Sequence, residues 1–94
     1  MISSEEFKTV LKQIEGYNLD IGARKVNRGV NFYEASTKRP IARIRASQAS
    51  GEVEVLWWSH REKWEQIGEF GGVVVPINEV VDYIKNDTSG CFVL

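Results

Sequence analysis

The sequence predicts an α+β domain over residues 1–94: an N-terminal helix, an antiparallel sheet of four to five strands, a C-terminal helix and a short closing strand. Two observations carry that reading. Apolar stripes at helical spacing stand near each end of the chain, Phe7, Val10, Leu11 and Ile14, then Ile77, Val80, Val81 and Ile84. Between them lie short alternating runs bounded by polar turns. The clearest is Glu52-Val53-Glu54-Val55-Leu56, just before the Trp57–Trp64 block that holds all three tryptophans.

The first helix has a start signal. Ser3 and Glu6 have capping-box spacing, in which each side chain accepts from the other's backbone amide. Gly16 suits a left-handed cap at its end. From Tyr17 to Ala46 the pattern turns strand-like. Gly22 marks a bulge or bend, and the adjacent Phe32 and Tyr33 leave the buried face of their strand open. Ser36-Thr37-Lys38-Arg39 reads as a turn, and Pro40 opens the next strand, where a missing amide does least harm. His60-Arg61-Glu62-Lys63 forms the turn of the Trp hairpin, and Trp64 to Phe70 is a further strand. Gly68, Gly71 and Gly72 interrupt before Val73, Pro76 starts the second helix, and Cys91-Phe92-Val93-Leu94 forms the closing strand.

The pairing of Ile41–Ala46 with Glu52–Trp58 has a register readable from its pattern. Partners whose numbers sum to an odd value put Arg43 and Arg45 on one face with Glu52 and Glu54, directly or diagonally. Ala42, Ile44, Ala46, Val53, Val55 and Trp57 then share the other face. An even sum sets arginine against valine, and a one-residue slip exchanges the faces. The odd register leaves Ile41, Leu56 and Trp58 as an apolar patch on the charged face. A helix of the same chain is the first expectation for its cover, and a partner surface the other.

Composition narrows the function classes. At 43% hydrophobic and 27% charged, the chain is too apolar for disorder. A lone cysteine, Cys91, excludes an internal disulfide and suggests a reducing, cytoplasmic setting. The start lacks a signal-peptide pattern, and no apolar run approaches the roughly twenty residues of a membrane span. The net charge of −1 hides a split. Residues 17–51 carry Arg24, Lys25, Arg28, Lys38, Arg39, Arg43 and Arg45 against Asp20 and Glu34, whereas residues 52–94 are mainly acidic. Such a split marks either a basic surface for nucleic acid or mutual neutralisation between strands.

Catalytic and metal chemistry find little support. Cys91 with His60 is the one nucleophile–base pair available, with no signature around it, and Cys91 in an apolar tail reads as a small packed group. One histidine and one cysteine offer no paired metal-ligand spacing, so neither catalytic residues, metal nor cofactor are expected. Gly68-Glu69-Phe70-Gly71-Gly72 matches no phosphate-binding pattern and carries Glu69, which repels phosphate. It reads as a connection needing positive φ. The ending Cys91–Leu94 fits a prenylation box literally, but no polybasic stretch precedes it, and the match reads as accidental.

Val55-Leu56-Trp57-Trp58 with Lys63-Trp64, a following helix and the ending Asp87-Thr88-Ser89-Gly90-Cys91-Phe92 resemble a group of small bacterial proteins. Those pair a Trp-containing hairpin with an Asp-x-x-Gly-Cys-Phe terminus. The resemblance covers about the second half of the chain, which departs from it in the doubled tryptophan and in Val93-Leu94 beyond Phe92. It implies a bacterial origin and no particular activity. The expected function is a non-enzymatic module that binds a protein partner or self-associates through Ile41, Leu56 and Trp58. The alternative is single-stranded nucleic-acid binding through Arg24, Lys25, Arg28 and Tyr33, with tryptophans as stacking surfaces.

Overall fold

A computed structural model describes residues 2–17, 20–48, 51–59, 61–67 and 72–86. The fold is α+β. Helix α1 (Ser4–Tyr17) precedes strands β1 (Ile21–Val26), β2 (Gly29–Glu34), β3 (Pro40–Ala46), β4 (Glu52–Trp58), β5 (Trp64–Gln66) and β6 (Val73–Pro76). A 3-10 turn (Ile77–Glu79) then leads into helix α2 (Val80–Asn86). The strands run in the order β1-β2-β3-β4-β5, and β6 joins β4 as well. Two short strands share one long neighbour: β5 pairs with Leu56–Trp58 and β6 with Glu52–Val55. The second of them is a strand more than the sequence pattern indicates, because Val73-Val74-Val75 follows the glycines without an alternation of its own. The proposed closing strand at Cys91–Leu94 lies outside the described residues.

α1 begins as its sequence requires. The Ser3 amide donates to Glu6 Oε1 at 2.9 Å and the Glu6 amide to Ser3 Oγ at 3.1 Å, which closes the capping box. Its far end differs from expectation. The helix continues through Gly16, which has no positive φ, to Tyr17. The extension is tied down by tertiary contact: Tyr17 Oη donates to Asp82 at 2.8 Å, and Lys85 Nζ stands 4.6 Å from the Tyr17 ring centre.

Both helices cover one face of the sheet. Val10 of α1 and Val80, Val81 and Ile84 of α2 are at most 1% exposed and share a single core with Val30, Phe32, Ala42, Ile44, Val53 and Val55. Gln13 joins the helices. Its Nε2 donates to the Ile77 carbonyl at 2.8 Å and its Oε1 accepts from the Val81 amide at 3.3 Å. It thereby serves an amide in the first turn of α2, directly after a 3-10 turn whose N-cap, Pro76, makes no side-chain cap bond. No described helix is long and apolar enough to cross a membrane.

Two outcomes follow for stability. Gln13→Ala strands a backbone donor and an acceptor between the helices, and chemical denaturation should show a loss of about 1–3 kcal/mol. The hydrogen bond from Tyr17 to Asp82, with burial and the Asp82 charge adding to it, raises the Tyr17 pKa above its ordinary value. The folded state therefore holds that proton more tightly than the unfolded chain. Its contribution is complete below about pH 10 and fades as pH rises through the raised value. Melting curves of Tyr17→Phe against the parent should differ most near neutrality and converge in alkali.

Candidate functional site

The hairpin register decides what faces away from the helices. β3 and β4 pair Arg45 with Glu54, Arg43 with Leu56 and Ala42 with Trp57, an odd sum throughout. Only Arg45 gains a carboxylate: its Nε lies 2.6 Å from Glu54 Oε1, while Gln66 Nε2 donates to Glu54 Oε2 at 2.8 Å. Glu54, 9% exposed, is thus engaged at both oxygens. Arg43, opposite leucine, turns instead to the Asn27 carbonyl at 3.5 Å.

Extending the pairings across the sheet gives three rows on this open face. One runs Val26, Gly29, Arg45, Glu54 and Val74. The middle row runs Arg24, Asn31, Arg43, Leu56 and Gln66. The third has Gly22, Tyr33 and Pro40 at one end and the pair Trp58–Trp64 at the other. Those two indoles meet edge to face, 5.0 Å between centres at 69°.

Ile41 is a correction. The β2–β3 register shifts after Phe32–Ala42, so that Tyr33 pairs with Pro40 and Ile41 is the extra residue of a bulge. The bulge turns its side chain to the helix side, where it is 2% exposed within the core. Of the proposed apolar patch, Leu56 and Trp58 remain on the open face. Leu56 is 6% exposed and outside the main core cluster, and Trp58 is half-buried. The expected helical cover is corrected too, since the buried residues of both described helices belong to the core on the other face.

Gly22 has a different purpose from the bulge it suggested. It stays in register opposite Tyr33, and a Cβ there would overlap the Tyr33 ring, which lies across β1 at that point. Lys38 Nζ stands 5.1 Å from the same ring's centre. Phe32 enters the core and Tyr33 the open face, which settles the orientation of β2.

Two clefts indent this face and share Trp64. One, of about 360 Å³, is bordered by Arg24, Asn31, Tyr33, Lys38, Pro40 and Trp64. The other, of about 290 Å³, is bordered by Arg28, Arg43, Arg45, Leu56, Trp64 and Gln66. No described carboxylate lines either cleft, although the chain has 13 acidic and 12 basic residues. Arg24, Arg28 and Arg43 form no ion pair among the described residues. Arg28 and Lys38 occupy turns at φ 72° and 66°, left-handed conformations in which glycine or asparagine is less strained.

Of the residues singled out from sequence for nucleic acid, the fold therefore gathers Arg24, Arg28 and Tyr33 at the clefts. Lys25 is excluded, since it pairs with Val30 and falls in a helix-side row. Sequence reasoning missed Asn31, Lys38 and Arg43. An asparagine amid strand-forming residues is the one local signal of this kind, because asparagine is depleted in strands. His60, Cys91 and residues 68–71 lie outside the described residues; Gly72 has φ 75°, as a glycine connection needs. Among the described residues no three His, Cys, Asp or Glu side chains gather at a metal-holding distance.

No family model matches the chain, and comparisons with curated proteins and with solved structures give no match. The geometry makes one local demand. Gly22→Ala should displace the Tyr33 ring and cost about 1–3 kcal/mol in a denaturant titration, as overpacking does.

Proposed function

We propose that this chain is a non-enzymatic binding module that takes single-stranded nucleic acid on the open face of its sheet. The observation carrying the reading is a lining of two adjoining clefts without carboxylates among the described residues, with Arg24, Arg28 and Arg43 outside the described ion pairs and Tyr33 and Trp64 beside them. Cations along a groove neutralise phosphates, and aromatic rings offer base-stacking surfaces without sequence preference. A bacterial cytoplasm is the setting that goes with it.

Arg28 and Lys38 add support. Each holds a cation at a cleft margin in a backbone conformation that disfavours a side chain, at a cost of order 1 kcal/mol. Glycine would relieve both turns. Titrating a short single-stranded oligonucleotide into the protein at low salt should quench tryptophan fluorescence and lose affinity as salt rises. The double variant Arg28→Gly/Lys38→Gly should melt at the parent temperature or above. It should bind more weakly, with the log–log salt slope reduced by about 1.4 for two lost phosphate contacts. Absence of binding at low salt would remove this reading.

A second reading keeps support from the half-buried Trp58–Trp64 pair: a protein partner, or a second copy of the chain, seated over Leu56 and Trp58. Self-association of that kind should appear as concentration-dependent mass in sedimentation and vanish in Trp58→Ala with the fold retained. A monomer at every concentration excludes the second copy.

A further inference from the structure

Asn31 is placed unlike any neighbour. It stands in a strand between Arg24 and Arg43 on the adjacent strands, yet neither donates to it. Its Oδ1 is the one buried side-chain oxygen or nitrogen among the described residues without a hydrogen-bond partner. A buried acceptor without a partner costs about 1–3 kcal/mol, which favours a donor supplied from outside the chain, whether water or ligand. Asn31 borders the 360 Å³ cleft, which also has Tyr33, Pro40 and Trp64 as flat apolar surfaces and Arg24 and Lys38 as cations. That volume lies at the lower end of the roughly 300–1,000 Å³ of small-ligand sites.

We infer that this cleft is a subsite for one unpaired nucleobase, whose ring N–H donates to Asn31 Oδ1 while the flanking phosphates meet Arg24 and Lys38. The inference rests on the nucleic-acid reading and adds a base-recognising position to it. Tyr33 and Trp64 supply the ring contacts. A bare polyanion satisfies the cations but leaves Oδ1 empty, and an apolar peptide side chain leaves both unsatisfied. A base joined to phosphate supplies donor, ring and charge together.

The test compares a thymidine oligonucleotide with its N3-methyl counterpart, which has the same charge but lacks the base's N–H donor. Binding is followed by fluorescence anisotropy at fixed low salt. The wild-type protein should bind the unmodified strand about tenfold more tightly, the consequence of leaving one buried acceptor unmet. Asn31→Val, chosen because valine suits a strand, should bind both strands alike near the weaker affinity, with its fold checked by melting. Lys38→Gly, in a turn, should weaken both strands equally and keep the preference, so the inference stays testable if the strand variant unfolds. Equal, salt-sensitive binding of both strands by the wild type overturns the base subsite and leaves the nucleic-acid reading standing. A preference that persists in a folded Asn31→Val overturns the role of Asn31. Binding of neither strand overturns both readings together.

Discussion

The register of β3 against β4 is the constraint on which the rest depends. Side chains alternate strictly along a strand, so one pairing number assigns every residue of both strands to a face. With Arg45 opposite Glu54, Ile44, Val53 and Val55 go to the helices, and Arg43, Glu54 and Leu56 to the open face. A slip of one residue in β3 would put Arg43 and Arg45 into a core whose members are nearly inaccessible to water. Burial of an unpaired guanidinium is costly enough to exclude that arrangement. The same register propagates through Asn31 to Arg24 and through Leu56 to Gln66, and so composes the candidate surface.

One irregularity reconciles this register with the apolar content of β3. Strict alternation would leave Ile41 beside Arg43 on the open face. The bulge opposite Tyr33 absorbs one residue, returns Ile41 to the core and leaves Pro40 facing outward beside the Tyr33 ring. Bulges re-aim side chains in this way at the margins of binding surfaces. Here the result is a cleft floored by proline and tyrosine where an aliphatic patch would otherwise stand. The surface becomes less apolar than strict alternation would make it, and the proposed nucleic-acid reading draws on that.

Charge is segregated by the same geometry. The helices carry Glu5, Glu6, Glu15, Glu79 and Asp82 against Lys8, Lys12 and Lys85, whereas the open face carries Arg24, Arg28, Lys38, Arg43 and Arg45 with Glu54 paired to Arg45. A net charge of −1 therefore describes neither side. On the proposed nucleic-acid reading, the clefts present these cations to an approaching polyanion.

The fold class, the capping box and the α2 stripe were legible in the sequence, because each rests on interactions within a few residues or on a periodicity of apolar side chains. The parity of the central hairpin was legible for the same reason: hydrophobic burial punishes the wrong face. The particular odd sum was not, since pairing Arg45 with Glu52 or with Glu54 satisfies the binary pattern equally. That two-residue choice left Arg43 without a carboxylate and opened a basic cleft. The position of Ile41, the shared side of the two helices and the isolation of Asn31 Oδ1 were likewise decided only in three dimensions. They depend on contacts between strands and helices far apart along the chain, for which no local pattern of residues is required.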